Sequence, residues 1–184
     1  MRCLLQWRAV CAPLLAIAGL PIGISSFAQT PQVLAVHCVE TTGHHDGDTF
    51  TCKSASAPAS KFVVRVASID APETGQAYWR VARARLRELA APGSSVDCYK
   101  VDRYGRKVCR LKTSDGRDAA DLMLSEGLAW YPEDYVDEDA PHDRERYRRL
   151  QADAKAAKRG LWAEPDPMAP KTCRQRRQAR QSCH

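Results

Sequence analysis

The stretch Lys61–Thr74, KFVVRVASIDAPET, decides the reading of this chain. Its first nine residues alternate. Phe62, Val64 and Val66 share one face, while Val63, Arg65 and Ala67 share the other, the period of a half-buried strand. The strand ends where Pro72 forces Ala71 into an extended conformation, so that the Ala71 carbonyl is left outside helical bonding. Asp70 and Glu73 project at that end, beside an Arg65 that leaves the strand on its polar face.

Upstream, Val33–Val39 and Thr49–Cys52 read as strands around an insertion, Thr41–Asp48, rich in Thr, Gly, His and Asp. Residues 53–60 have no apolar periodicity and read as a loop. Downstream, Gln76–Ala90 reads as a first helix with Val81, Leu86 and Leu89 toward a core, stopped by Pro92-Gly93. Val96–Tyr99 and Arg106–Leu111 form a hairpin about Asp102-Arg103-Tyr104-Gly105. Asp118 caps a second helix that stops at Gly127. A third runs over Asp143–Arg159, with Tyr147, Leu150, Ala154 and Ala157 on one stripe, Gly160 closing it and Trp162 packing just beyond. Strands lead and helices follow, an α+β order in which the short strands suit a small, nearly closed barrel.

Composition bounds the rest. Of 184 residues, 44% are hydrophobic and 27% charged, which argues for one globular domain and against disorder. Residues 9–24 carry no charge, follow Arg2 and Arg8, and precede Ser26-Phe27-Ala28, the pattern of a secretory leader cut after Ala28 and too short to span a bilayer. The expected organisation is a signal peptide over 1–28, an N-terminal linker over 29–36, the globular domain over 37–167 and a basic tail over 168–184. Loss of Arg2 and Arg8 lowers the formal charge from +6 to +4, and Lys171, Arg174, Arg176, Arg177 and Arg180 contribute +5, so the body of the chain is close to −1. A basic isoelectric point therefore says little about nucleic-acid binding by the domain. The tail engages a polyanion, or it serves solubility as a disulfide-closed terminus; the sequence leaves both open.

Beyond the leader six Cys remain, Cys38, Cys52, Cys98, Cys109, Cys173 and Cys183, an even set that suits an oxidising, secreted or periplasmic setting. Counting outward from the hairpin turn puts Cys98 and Cys109 within one residue of register and predicts their pairing. Cys173 with Cys183 and Cys38 with Cys52 complete the expected set without support from spacing.

Asp46-Gly47-Asp48-Thr49, Asp70-Ala71-Pro72-Glu73 and Asp102-Arg103-Tyr104-Gly105-Arg106 are each unremarkable turns when taken singly. Combined, they offer Asp48, Asp70 and Glu73 as carboxylates that require a cation or protons to coexist, with Arg65 and Arg106 beside them. Oxygen donors without a thiolate favour a hard cation, Ca²⁺ or Mg²⁺. Two guanidiniums beside such an ion suit a phosphate group gaining charge.

These elements resemble the thermonuclease family, the staphylococcal nuclease-like domains. The likeness rests on DGDT at 46–49, RVASIDAPET at 65–74, DRYGR at 102–106, SEGLAW at 125–130 and KRGLW at 158–162, in family order over about residues 36–163. It implies an α+β fold built on an OB-fold five-stranded β-barrel with three helices. It also implies endonucleolytic hydrolysis of DNA and RNA with little sugar specificity, leaving a 3′-phosphate, by a monomer without stable membrane insertion. The positions matched imply Ca²⁺ held by Asp48, Asp70 and the Ala71 carbonyl (usually a Thr in the family), Glu73 as general base, and Arg65 and Arg106 on the scissile phosphate. Arg103 and Tyr135 fall at substrate-binding positions, with Tyr131 a looser counterpart of the second stacking tyrosine. The connection before the first helix is shorter than in the founding protein.

A non-catalytic OB module that binds single-stranded nucleic acid is the rival reading. Glu133–Asp139, with five acids in seven residues, is expected as a solvated acidic loop, and Arg80, Arg83 and Arg87 as a solvated helix face.

Overall fold

Six strands form one mixed sheet: β1 (Leu34–Val36), β2 (Cys38–His44), β3 (Thr49–Ser54), β4 (Lys61–Val66), β5 (Ser95–Val101) and β6 (Lys107–Lys112), in the order β1-β5-β6-β4-β3-β2. The computed structural model describes residues 34–36, 38–54 and 60–183. The expected leader lies outside the described residues. All ladders are antiparallel except β4 on β6. β1 and β2 sit at opposite ends of that order, yet Val36 and Cys38 are two residues apart, at most about 7 Å of chain. The sheet must therefore curl enough to bring the end of β1 near the start of β2, but among the described residues no ladder joins the two and the barrel is not closed.

Four α-helices accompany the sheet: α1 (Trp79–Leu89), α2 (Ala119–Ser125), α3 (Pro141–Ala156) and α4 (Pro170–Gln178), with 3-10 segments at Glu133–Glu138 and Gly160–Ala163. The expected five-stranded barrel with three helices is corrected to six strands and four α-helices among the described residues. One strand expected over Val33–Val39 serves two ladders, Leu34–Val36 on β5 and Cys38 onward on β3. The additional helix is in the tail, where Pro170 opens α4 and Cys173–Cys183 ties it to the chain end. Thr41–His44, expected within an insertion, continues β2, whose two register shifts leave Val39 and Thr42 without a partner position on β3. Strand Leu34–Val36 falls within the segment expected as linker.

α1 buries Ala82, Leu86 and Leu89, spaced four and three residues apart. Val81, expected in the core, lies one step off that stripe and is 51% exposed. α2 is capped by Asp118, whose Oδ1 accepts from the Ala120 amide at 2.8 Å. α3 starts with Pro141 in its first turn and buries Tyr147 and Ala154; Ala157 lies beyond its end and is exposed. The α2 and α3 stops meet: the Leu161 amide donates to the Gly127 carbonyl at 2.8 Å, and a Cβ on Gly127 would sit 2.2 Å from the Arg159 carbonyl oxygen. SEGLAW and KRGLW are two sides of this backbone contact, and Trp162 packs edge-on to Trp130 at 5.2 Å.

The core holds Phe50, Val64, Ile69, Leu86, Leu111 and Met123, with Tyr147 beneath α2. Disulfides join β2 to β3 (Cys38–Cys52), β5 to β6 (Cys98–Cys109, paired in register) and the tail (Cys173–Cys183), matching all three expected pairs. Among the described residues no helix is long and apolar enough to cross a membrane.

Candidate active site

Residue 48 is fixed by the strand beside it. The Val66 amide donates to the Asp48 carbonyl at 2.8 Å, and Thr49 pairs with Arg65, so Asp48 and Arg65 emerge together from neighbouring strands. Gly47 lets this loop lie flat on the core, since a Cβ there would come within 2.7 Å of both the Ala71 and Ala82 Cβ atoms. Asp48 Oδ2 accepts from the Ala71 amide at 2.8 Å and Oδ1 from the Thr49 hydroxyl at 2.8 Å, while Arg65 Nε lies 3.3 Å from Oδ1. Among the described residues no hydrogen bond engages the Ala71 carbonyl.

Asp70 exchanges both backbone hydrogen bonds with Trp130, at 2.8 and 2.9 Å, which holds the end of β4 against the segment after α2. Its carboxylate takes Arg65 Nη2 at 3.4 Å. Glu73 is oriented by Gln76, whose Oε1 accepts from the Glu73 amide at 2.7 Å, while Gln76 Nε2 donates to the Met168 carbonyl at 2.8 Å. Arg106 stands before β6, its Nε donating to Asp102 Oδ2 at 2.7 Å and its Nη1 to the Thr49 hydroxyl at 3.4 Å. Burial works against ionisation of Asp102, but hydrogen bonds from the Arg106 side chain and from the Arg106 and Tyr104 amides outweigh it and hold its carboxyl below the usual range.

One cleft of about 680 Å³ is lined by Asp48, Arg65, Asp70, Glu73, Arg103, Arg106 and Tyr135, seven of the eight expected site residues. The eighth, Ala71, is buried behind Asp48. Tyr135 is 57% exposed on the cleft wall, with Lys100 Nζ 5.7 Å from its ring centre. Tyr131 is in the core instead, against Tyr147, its hydroxyl donating to Asp139 at 3.2 Å.

Several lining residues carry no expectation from the sequence. Tyr104 is 67% exposed with Arg103 and Arg106 over its ring, and Tyr99 also lines the cleft. Asp46, read only as a turn former, accepts the Asp48 amide at 3.1 Å. Burial, and then the Asp48 charge, push its carboxyl up to about 7. The largest omission is Arg174 on α4. Its Nη1 donates to Asp70 Oδ1 at 3.0 Å and Glu73 Oε1 at 2.7 Å, and its Nη2 to Asp70 Oδ2 at 2.9 Å. A basic tail signals charge, but nothing in its spacing signals where the charge goes.

The acids of Glu133–Asp139 are solvent-exposed as expected apart from buried Asp139, but the segment forms a 3-10 turn and its acids are ion-paired. Glu133 pairs with Arg148, Asp134 with Lys171, Asp137 with Arg144 and Glu138 with Lys100, while Asp139 is buried against Ser68, Tyr131 and Arg110. The acids are neutralised by neighbours and bind the segment to β5, α3 and α4.

The donors in the cleft suit a hard cation. Asp48 and Asp70 offer carboxylate oxygens held almost wholly out of water. Burial, and to a lesser extent the neighbouring Asp48 charge, raise the Asp70 carboxyl above its ordinary range despite the Arg174 hydrogen bonds. Among the described residues no three carboxylate, imidazole or thiolate groups converge as a ligand cluster, and Asp70 and Glu73 both face Arg174.

A family model described as staphylococcal nuclease homologue matches residues 63–164. The chain belongs to the staphylococcal nuclease family. It is 33% identical over 134 residues to an uncharacterized endonuclease of Escherichia coli, covering 72% of this chain and 81% of the relative. It is 30% identical over 172 residues to a micrococcal nuclease of Shigella flexneri, covering 89% and 88%. A staphylococcal-like nuclease of Arabidopsis thaliana is 33% identical over 113 residues, 61% of this chain and 33% of that longer protein.

Proposed function

We propose that this chain is an exported, calcium-dependent endonuclease that hydrolyses phosphodiester bonds of DNA and RNA with little sugar specificity and acts as a monomer. Phosphodiester hydrolysis is the chemistry of the family; the cation, substrate breadth and export are the further reading. The observation that carries it is the meeting of Arg65 and Arg106 with Asp48, Asp70 and Glu73 in one cleft. A binding module needs stacking faces and positive charge, but has no use for buried carboxylates between two arginines.

Asp48, Asp70 and the Ala71 carbonyl would hold the ion. When bound, Ca²⁺ supplies Lewis-acid polarisation of a phosphate oxygen and neutralises the carboxylates. Glu73 accepts the proton of the attacking water as the new P–O bond forms. Arg65 and Arg106 donate to the phosphate oxygens as their charge rises and the bond to the leaving sugar oxygen breaks. Arg103 meets the flanking backbone, and Tyr135 offers a face to a base. Three disulfides favour an oxidising location, in keeping with the leader read at 1–28, and leave secreted and periplasmic fates equally served.

The test is cleavage of labelled single-stranded DNA with added Ca²⁺ and with a chelator, with Arg106→Ala alongside to exclude a contaminating nuclease. Calcium-dependent cleavage that collapses in the variant is expected. Binding that survives chelation without any cleavage would return the chain to the binding-module reading.

A further inference from the structure

Arg174 lines the cleft directly over two of its carboxylates. Its guanidinium spans both carboxylates, touching each oxygen of Asp70 and one of Glu73 at 2.7–3.0 Å. Arg177, one turn on, lies 3.8 Å from the other Glu73 oxygen and donates to the Thr74 carbonyl. Asp70 is 6% exposed, whereas the Arg174 side chain is 44% exposed, so the guanidinium is the group between this carboxylate and water.

The helix that carries Arg174 is held there by its surroundings. Cys173, next to it, is fully buried and bonded to Cys183; Met168 is tied to Gln76; Lys171 pairs with Asp134 at 2.6 Å. α4 is thus docked through buried Pro170 and Cys173 and through ion pairs, and only the exposed pairs are of a kind that solvent and competing ions weaken. A guanidinium that engages both oxygens of Asp70 competes with a dication for that carboxylate, because like charges a few ångströms apart repel; the competition is electrostatic, since each oxygen has a second lone pair and Oδ1 already accepts Arg65 as well.

We propose that Arg174 is a further residue of the active site: a built-in competitor for Asp70 and Glu73, which the divalent cation must displace, so that α4 covers the cleft when the cation is absent and withdraws its guanidinium when the cation binds. This rests on the reading of Asp48, Asp70 and Ala71 as cation ligands. Glu73 is released by the same displacement and becomes free to accept a proton only once the cation is in place. The guanidinium, carried by a helix tethered through Cys173, stays at the rim, where an incoming phosphate offers it a new anionic partner. Because only the uncovered fraction of molecules takes the ion, the apparent calcium affinity is lowered by that fraction.

Two measurements on the disulfide-intact protein without nucleic acid test this. Calorimetric titration with Ca²⁺ should give an affinity about tenfold or more tighter for Arg174→Ala than for wild type. Amide exchange in Pro170–Gln178 of the wild-type protein should quicken on saturation with Ca²⁺, an arm that needs no variant to fold. Equal affinities, or α4 protection unchanged by bound Ca²⁺, would overturn the inference while leaving the calcium reading intact. Calcium binding by neither protein would remove the cation-ligand reading and the inference together.

Discussion

Arg65 and Arg174 both reach Asp70, by different routes. Arg65 belongs to β4, flanked by β3 and β6, and lies five positions from its partner in the chain. Arg174 arrives from 104 residues away on a helix secured by ion pairs, one backbone tether and a short disulfide loop. A side chain carried by a doubly paired strand keeps its position through a reaction and needs no reorganisation as charge develops. One carried by an edge helix can yield its place at the cost of exposed polar contacts. On the proposed reading, the contrast separates residues that stabilise the reacting phosphate from a residue that governs access to it.

The two regions should differ sharply in what they contribute to stability. Phe50→Ala, in the centre of the core, is expected to cost about 3–5 kcal/mol in a urea unfolding titration. Lys171→Ala, which breaks only the exposed pair with Asp134, should cost less than about 1 kcal/mol. A tail change as costly as the core change would break the comparison.

Gly47→Ala probes the rigid side more finely. The new methyl must displace either the Asp46–Asp48 loop or the Ala71 and Ala82 contact, so a stability loss of about 1–3 kcal/mol is expected together with lower activity. Full activity at reduced stability would mean that the Asp48 position matters less than its packing implies. On the open wall, Tyr135→Ala should weaken binding of single-stranded DNA by about 1–3 kcal/mol if a base stacks there, read by fluorescence titration. Unchanged binding would transfer that role to Tyr104.

A smaller effect concerns acid. Burial opposes ionisation of Asp143, but Arg110 Nη1 at 2.9 Å and Arg146 Nη1 at 2.7 Å outweigh it and hold the carboxyl below its ordinary value. A depressed folded value contributes stability that is present above the unfolded value, about 3.9, and is lost as pH falls through the folded one. The melting temperature should therefore drop below about pH 4 with a shallower slope in Asp143→Asn than in wild type. Equal slopes would show that these ion pairs do not set acid stability.

What the sequence revealed follows the same division. The alternation of Lys61–Ile69, the Asp118 cap and the Cys98–Cys109 register are local patterns, and each appears where its period or turn count put it. Six of the seven expected side chains in the cleft lie on strands or the connections that follow them, where the backbone leaves few directions in which to point; Tyr135, on the 3-10 segment, is the exception. Where the reading failed, distant partners decided. Val81 lost its core place to the stripe of Ala82 and Leu86, and Tyr131 was taken into the core by Tyr147. The acids of Glu133–Asp139 found cations on β5, α3 and α4, and Arg174 found Asp70 across most of the chain. No periodicity encodes such encounters, since each depends on two surfaces meeting after folding.

The most direct measurement of the central claim is the single-turnover cleavage rate of Arg65→Ala on single-stranded DNA in saturating Ca²⁺, alongside its affinity for the same strand. Loss of a guanidinium that acts on the developing phosphate charge should remove about 3–4 kcal/mol of transition-state stabilisation, a fall of about a hundred- to a thousand-fold in rate, with affinity nearly unchanged. A rate within a few-fold of wild type would contradict the assignment of hydrolysis to this cleft.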